Sequence, residues 1–253
     1  MATYVLVGGA WIGAWAWQDV ARDLRAKGHD VYPLSLTGLG ERVHLGNAST
    51  NLTTHIVDVI NLIEFEDLHD VVLVVHSYSG IVAPGVADRI PERLSRIVYV
   101  DTAPLPNGFT MLDLNSPEGQ AEIRQVVESE GEGWKFPMPP FDELGKSASL
   151  KGLGDAERAK FRAKAVAHPF GTYTEPLVLT LDAPLEIPQN IIACDNFRQL
   201  LDSGNPMLSF VHEPGWSIDI LETGHWPMLS TPAELTVILD RIARSRLSKT
   251  RPK

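Results

Sequence analysis

The most constraining stretch of the chain is a run of aliphatic residues that ends abruptly in a polar turn. Residues 71–75 (Val-Val-Leu-Val-Val) read as a short strand buried on both faces, as is typical of a parallel sheet. Residues 76–80 (His-Ser-Tyr-Ser-Gly) follow, and then an apolar, helix-compatible run over 81–90. A strand, a sharp turn and a helix, with Ser77 at the bend, form the layout of a nucleophile elbow.

The usual elbow sequence, Gly-x-Ser-x-Gly, is altered here at both glycines. Val75 and Ser79 stand where the glycines would be. On this stretch alone, a serine in an ordinary strand-to-helix turn is an equally good interpretation. The choice between the two depends on the rest of the chain.

Strands and helices alternate over about the first hundred residues. Strands are predicted at 4–7, 30–36, 71–75 and 95–100, and helices at 14–27, 52–62 and 81–90. Further along, strands are predicted at 190–193 and 217–221. A terminal helix is predicted at 231–245, with one apolar face formed by Leu235, Ile238, Leu239 and Ile242. This alternation predicts an α/β fold with a doubly wound, mostly parallel sheet.

A proline-rich segment interrupts this rhythm. Residues 104–186 are predicted to form a helical lid over the carboxyl ends of the strands, with helical segments near 120–128 and 155–165. The predicted core is then made of residues 1–103 and 187–253. Paired glycines, Gly8 and Gly9, end the first strand, where they let the backbone approach a ligand closely.

A serine hydroxyl needs a base, and that base is usually a histidine held by a carboxylate. His225 follows the predicted strand 217–221 and precedes the last helix, and in hydrolases of the predicted fold the base lies on the loop after the last strand. His76 is expected to be a buried, hydrogen-bonded structural residue, because adjacent side chains at such a bend point apart. His168 and His212 are expected to be solvated.

The oxyanion site needs two converging N–H donors. The expected donors are the backbone N–H of Tyr78, directly after the predicted nucleophile, and that of Ala10, after the paired glycines. Glycines that merely make a tight turn fit the same residues. An apolar pocket is predicted around Gly9, Trp11, Trp134 and Trp226, although aromatic residues also serve simply as core.

Several segments resemble the α/β-hydrolase superfamily, and more narrowly the small bacterial esterase-like members that are similar to plant methyl-ester esterases and hydroxynitrile lyases. The resemblance covers nearly the whole chain. It is carried by residues 4–11, 15–17, 36–42, 54–56, 66–68, 85–89 and 223–225. It implies the hydrolase fold and leaves the substrate open, since such folds support many reactions.

The chain departs from that family at the oxyanion loop. The sequence also does not decide which carboxylate holds the catalytic histidine. Gly8 stands where the family usually carries a histidine that braces the loop. Two aspartates are candidates for the acid: Asp101, at the end of the strand after the nucleophile helix, and Asp195, two positions before the site that fold relatives often use. Asp101 is narrowly favoured, and either residue is also read as a helix or loop cap.

Composition limits the partners. A formal charge of −10 argues against nucleic-acid binding and against attraction to anionic membranes. Cys194 is the only cysteine, so no disulfide framework or thiol-rich metal site is expected. With no signal peptide or membrane span visible in the sequence, a cytoplasmic location is expected. The expected partner is a small-molecule substrate, no cofactor or metal is expected, and a homodimer is left open.

Three functions are compatible with this pattern. The leading hypothesis is a serine hydrolase that cleaves a small, largely apolar ester, carbamate or amide through an acyl-enzyme. The second is a hydroxynitrile-lyase-like enzyme; the resemblance implies a lysine near the catalytic histidine for that activity, and none lies near His225 in sequence. The third is a hydrolase-like small-molecule binder with weakened catalysis.

Overall fold

The computed structural model describes residues 1–180 and 186–245, and its centre is a six-stranded sheet. The strands of this sheet are β1 (Thr3–Val7), β2 (Asp30–Leu34), β3 (Val71–His76), β4 (Leu94–Val100), β7 (Gln189–Ala193) and β8 (Trp216–Ile220). A separate two-stranded antiparallel sheet pairs β5 (Lys135–Phe136) with β6 (His168–Pro169). The main sheet has the order β2-β1-β3-β4-β7-β8, and every pair in it is parallel.

Helices flank this sheet. They are α1 (Gln18–Ala26), α2 (Leu52–Phe65), α3 (Val82–Arg89), α4 (Pro117–Glu130), α5 (Phe141–Ser147), α6 (Asp155–Lys164), α7 (Gly171–Thr174), α8 (Asp195–Asp202), α9 (Pro227–Ser230) and α10 (Pro232–Arg244). Short 3₁₀ segments span Ala14–Trp17, Gly40–Leu45, Ser77–Gly80, Pro91–Arg93, Met111–Leu114 and Pro206–His212. The predicted doubly wound α/β fold is therefore confirmed.

The central strand contributes to two hydrophobic cores, one on each face of the sheet. Successive strand side chains point to opposite faces. Leu73 and Val75 accordingly pack with α2 and α3, whereas Val72 and Val74 pack with α1 and α10. Both cores are apolar at this strand, which explains why its sequence is continuously aliphatic rather than alternating.

The terminal helix is fixed to the first strand by polar as well as apolar contacts. The Tyr4 hydroxyl donates to the Leu239 carbonyl at 2.9 Å, inside the core. His29 bridges the same two regions: it accepts from the Ala2 N–H at 3.1 Å and contacts the Asp240 carboxylate at 2.8 Å. Of the predicted apolar face, Leu235, Leu239 and Ile242 are buried and Ile238 is half-buried.

Between β4 and β7, the residues that the structure describes (101–180 and 186–188) add no strand to the main sheet. They contain α4 to α7, as well as the β5–β6 pair, which the sequence did not predict. The boundaries 104 and 186 stay a prediction, and residues 181–185 of that segment lie outside the described residues. The predicted helix at 14–27 is corrected to a 3₁₀ turn followed by α1, which begins at Gln18.

Truncating a core side chain of α10 tests how firmly this helix is attached. Leu239 is fully buried, so Leu239→Ala should lower the free energy of unfolding by about 2–5 kcal/mol through lost burial and a residual cavity. Val237 lies on the same helix and is 59% exposed, so Val237→Ala should change the stability by less than about 1 kcal/mol. Urea denaturation of both variants measures the difference, and equal losses would contradict the assigned packing.

Candidate active site

Ser77 occupies a strained turn directly after β3. Its φ of 51° lies in the left-handed region, which non-glycine residues seldom adopt. The Thr102 hydroxyl donates to the Ser77 carbonyl at 2.9 Å and holds the turn from the neighbouring strand's end. A left-handed serine between a buried strand and a helix is the geometry of a nucleophile elbow. Backbone strain of this kind persists only where the surrounding structure enforces it.

The residues that replace the elbow glycines fit this turn because other glycines supply the space. A Cβ at Gly9 would lie 2.8 Å from the Ser77 Cβ, and one at Gly80 would lie 2.6 Å from the Ala103 carbonyl. Ser79 is fully buried, and its hydroxyl donates to the Gly8 carbonyl. The close approach is thus made at Gly9 and Gly80, while the Ser79 hydroxyl binds to the turn that follows β1.

The structure brings Ser77, His225 and Asp101 into one hydrogen-bonded chain. The Ser77 Oγ lies 2.8 Å from His225 Nε2, and the His225 Nδ1 lies 2.6 Å from an oxygen of Asp101. A carboxylate oxygen accepts, so the Asp101 contact places the ring proton on Nδ1. The lone pair of Nε2 is then free to accept the Ser77 hydroxyl proton.

Asp101 is buried, and its second carboxylate oxygen is also occupied. Oδ1 accepts from the backbone N–H groups of Cys194 at 2.9 Å and Phe197 at 3.1 Å. Asp101 itself has a φ of 48°, so it too sits in a strained turn at the end of its strand. These amides, at the start of α8, hold the carboxylate towards His225.

Asp195, the alternative acid, points away from His225. Its carboxylate lies 3.3 Å from the Lys151 ammonium and 3.4 Å from the Ser149 hydroxyl. It also begins α8, where an acidic side chain favours the helix dipole. Of the two candidate aspartates, only Asp101 contacts the imidazole.

His76 contacts the backbone of His225. It lies within hydrogen-bond distance of the His225 carbonyl, 2.7 Å from Nε2, and the two ring centroids are 4.8 Å apart. His76 is completely buried, as predicted, and desolvation lowers the pKa of its imidazole well below the usual value. A neutral His76 therefore adds no positive charge beside the neighbouring ring.

The loop that carries His225 is bonded to the segment before α6. The N–H of His225 donates to the Ser149 carbonyl at 2.8 Å, and that of Gly224 donates to the Lys151 carbonyl at 3.1 Å. A side chain at position 224 would collide with this backbone, since a Cβ there would lie 2.7 Å from Lys151 N. Gly224 is therefore required for the close approach that fixes His225.

A small cavity of about 250 Å³ opens at Ser77. Its lining holds no Lys, Arg, Asp or Glu and combines apolar with polar side chains: Ala10, Trp11, Ser77, Tyr78, Met111, Leu144, Ser147, Ala148, Tyr173, Asn196, His225 and Trp226. A wider recess that is also lined by Ser77 and His225 includes Phe197 and Leu208. The predicted oxyanion residues Ala10 and Tyr78 are thus beside Ser77 and His225, and their role as donors stays a prediction.

The predicted pocket residues divide between the cavity and its surroundings. Trp11 and Trp226 line the cavity, whereas Gly9 packs against Ser77 and does not line it. Trp134 lies elsewhere: the Lys135 ammonium sits 4.7 Å from its ring centroid, and its carbonyl accepts from the Phe170 N–H. Tyr173, Met111 and Asn196 line the cavity and were not predicted, because no local pattern marks them.

His168 was expected to be solvated, and this was wrong. It is completely buried, and its ring centroid lies 4.4 Å from that of Tyr78. The Tyr78 hydroxyl is also hydrogen-bonded to His55 Nδ1 at 2.9 Å. Desolvation lowers the pKa of His168 well below its usual value and that of His55 to about 4, so both rings are neutral. Burial of a lone histidine in an irregular segment leaves no sequence signal.

A sheet of parallel strands carrying a Ser-His-Asp chain at their carboxyl ends defines an α/β hydrolase. The model of the alpha/beta hydrolase family matches residues 4–237, and the chain belongs to this family. A carbendazim hydrolyzing esterase of Nocardioides sp. (strain SG-4G) is 33% identical over 251 residues, which cover 93% of this chain and 97% of that protein.

Plant and bacterial proteins extend this comparison. The putative methylesterase 14, chloroplastic, of Arabidopsis thaliana is 27% identical over 95% of this chain and 72% of its own length. A solved extracellular α/β-hydrolase from a Paenibacillus species has a TM-score of 0.83 at 23% identity, covering 97% of this chain and all of the other. That likeness shows the fold, and the esterase relatives support a hydrolase activity.

Two further findings concern metals and membranes. Within residues 1–180 and 186–245, no group of three or more His, Cys, Asp or Glu side chains could hold a metal ion. In the same ranges, no helix has both the length and the hydropathy needed to cross a bilayer.

The three buried neutral histidines make stability depend on pH. His55, His76 and His168 have lowered pKa values in the folded protein, so the unfolded chain binds protons that the folded one does not. Stability should therefore fall as the pH drops below about 6.5 towards about 4, by on the order of 1 kcal/mol per pH unit for each ring. Urea unfolding at pH about 7.5, 6 and 5 measures this slope. A flat profile over this interval would contradict neutral burial of the rings.

Proposed function

We propose that this protein is a serine hydrolase that cleaves small, uncharged carboxylic esters or carbamates through an acyl-enzyme. The hydrogen-bonded chain from Ser77 through His225 to Asp101 is the observation that carries this proposal. The Ser77–His225 contact is within the distance that proton transfer requires, and the Asp101–His225 contact holds the ring that accepts the proton.

The first half of the reaction forms the acyl-enzyme. The Ser77 Oγ attacks the carbonyl carbon as His225 Nε2 takes the hydroxyl proton, and Asp101 stabilises the resulting imidazolium. The carbonyl oxygen becomes an oxyanion, which the N–H groups of Ala10 and Tyr78 are expected to bind. When the tetrahedral intermediate collapses, His225 returns the proton to the leaving alcohol or amine.

The second half regenerates the enzyme. A water molecule gives its proton to His225 and attacks the acyl carbon, and the bond to Ser77 Oγ breaks as the serine recovers the proton. The acid or carbamic acid leaves.

The lining of the cavity supports an uncharged substrate. None of its side chains is a Lys, Arg, Asp or Glu, so a charged group would lose its hydration without gaining a partner. The aromatic residues Trp11, Tyr173 and Trp226 offer apolar area, and Ser147 and Asn196 are polar residues of the lining whose side chains are bonded to neighbouring backbone. Carbamates are included because the bacterial relative described above is named for hydrolysing carbendazim.

The lyase alternative gains nothing from the structure. Lys151 is near the His225 loop through its backbone. Its ammonium, however, pairs with Asp195 at 3.3 Å and lies 3.8 Å from Glu222, and Lys151 does not line the cavity. Among the residues that the structure describes, no lysine lines the cavity where a lyase would need one to hold cyanide.

A fluorophosphonate probe tests the nucleophile directly. The wild-type protein should gain one adduct, located at Ser77 by peptide mass analysis. Ser77→Ala should gain none and should lose about 10³-fold or more in kcat/KM on a neutral aryl ester or methyl carbamate. Folded wild-type protein that neither labels nor turns over such substrates would instead support the small-molecule binder.

Paired aspartate variants test the acid. Asp101→Asn should reduce kcat by about 10²–10⁴-fold, because an amide favours the wrong tautomer of His225. Asp195→Asn is the matched control: Asp195 lies in the first turn of α8, contacts Ser149 and Lys151 rather than the imidazole, and its variant should stay within about threefold of wild type. The reverse ranking would overturn the role proposed for Asp101.

A further inference from the structure

We propose that the β5–β6 sheet of the segment between β4 and β7 positions the oxyanion turn, with His168 as the positioning residue that acts through the backbone of Trp11. This inference rests on the proposed function and deepens it. It assigns a task in catalysis to residues that touch neither the serine nor the imidazole.

Trp11 adopts a backbone conformation that its own chemistry disfavours. Its φ is 64°, in the left-handed region, where a bulky residue is an outlier. Trp11 directly follows Ala10, the expected oxyanion donor. The backbone conformation of Trp11 therefore helps to fix the turn that carries the Ala10 N–H. Contacts from elsewhere in the protein must hold it.

Three hydrogen bonds hold Trp11, and all three come from the segment between β4 and β7. The Trp11 carbonyl accepts from the Val166 N–H at 3.0 Å, and its indole N–H donates to the Phe136 carbonyl at 3.0 Å. The Trp11 backbone N–H donates to His168 Nδ1 at 3.4 Å, the longest of the three. Phe136 and His168 are paired in the β5–β6 register, so two of the bonds come from one pair of hydrogen-bonded strands.

The tautomer of His168 is set by a second chain of hydrogen bonds. The Thr172 hydroxyl donates to the Pro169 carbonyl at 2.8 Å, so its oxygen is left to accept from His168 Nε2 at 2.9 Å. With its proton on Nε2, the ring presents the lone pair of Nδ1 to Trp11. Complete burial keeps the ring neutral, which preserves this acceptor.

The other end of the same turn is held by the core. The Ser79 hydroxyl donates to the Gly8 carbonyl, which joins the turn to the elbow that carries Ser77. Ala10 therefore lies between two fixed points, Gly8 on the core side and Trp11 on the side of β5–β6. Glycine at position 8 has no side chain that could brace the loop. The bond from Ser79 and the bonds to Trp11 hold the loop instead.

The effect on catalysis should appear in the transition state rather than in substrate binding. An oxyanion donor acts on charge that develops only during the reaction, so its misplacement lowers kcat more than it raises KM. A merely structural role of His168 would lower stability and leave kcat unchanged in the protein that remains folded.

A graded set of variants tests this on the full chain. His168→Leu removes the acceptor and should lower kcat on a neutral aryl ester by about 10-fold or more, with KM changed by less than about threefold. His168→Asn places an amide oxygen near the position of Nδ1 and should recover most of the loss. Thr172→Val removes the acceptor that keeps the His168 proton on Nε2 but leaves the ring in place, and it should lower kcat by about threefold or more. This variant tests the proposal even if His168→Leu fails to fold.

Tyr4→Phe is the matched control, because it also removes a buried hydrogen bond but lies far from the site. It should lower the melting temperature without lowering kcat. An active wild type whose His168 and Thr172 variants keep full kcat overturns this inference alone. A wild type that neither labels at Ser77 nor hydrolyses esters or carbamates overturns the proposed function and the inference with it.

Discussion

The contact between His225 and Asp101 is the interaction on which the site depends. It joins residues 124 positions apart in the chain and sets which imidazole nitrogen faces Ser77. Each partner is fixed by backbone groups: Asp101 by the amides that begin α8, and His225 by the carbonyl of Ser149. Because backbone donors and acceptors cannot rotate away as side chains do, the imidazole is oriented before any substrate arrives.

Strained backbone is concentrated at this site. Among the described residues, six that are not glycine have a positive φ, and Trp11, Ser77 and Asp101 are three of them. Each lies just beyond the carboxyl end of β1, β3 or β4, three neighbouring strands of the sheet. The surrounding hydrogen bonds hold these three residues in their strained conformations. The packing of the two cores offsets the energetic cost of that strain, which places the three residues at the carboxyl edge of the sheet.

The segment between β4 and β7 is a structural part of the site, and several of its residues line the cavity. Ser149 and Lys151 hold the His225 loop, and β5–β6 contacts Trp11. It also supplies Tyr173, whose ring stacks on Tyr78 at 5.5 Å. His55 and His168 surround Tyr78 with neutral, hydrogen-bonded rings. This buried polar cluster satisfies its own hydrogen bonds without placing a charge beside the serine.

Much of the fold could be predicted from sequence, because it depends on local patterns. The aliphatic run of 71–75 predicts a central strand, the spacing of Leu235, Leu239 and Ile242 predicts the terminal helix, and the order of Ser77 and His225 predicts their roles. The paired glycines Gly8 and Gly9 predict a turn of close backbone approach after the first strand. Two aspartates were left as candidates, since both follow strands that end at the same edge.

Only the tertiary structure separated those two residues. Asp101 and Asp195 differ in which way their side chains point, and that direction is decided by the amides of α8 and by Lys151, far away in sequence. Contacts between distant segments also decide that His168 is buried and that Trp134 lies outside the cavity. Local sequence determines which elements form, whereas side-chain direction in loops depends on contacts that exist only once distant segments have packed together.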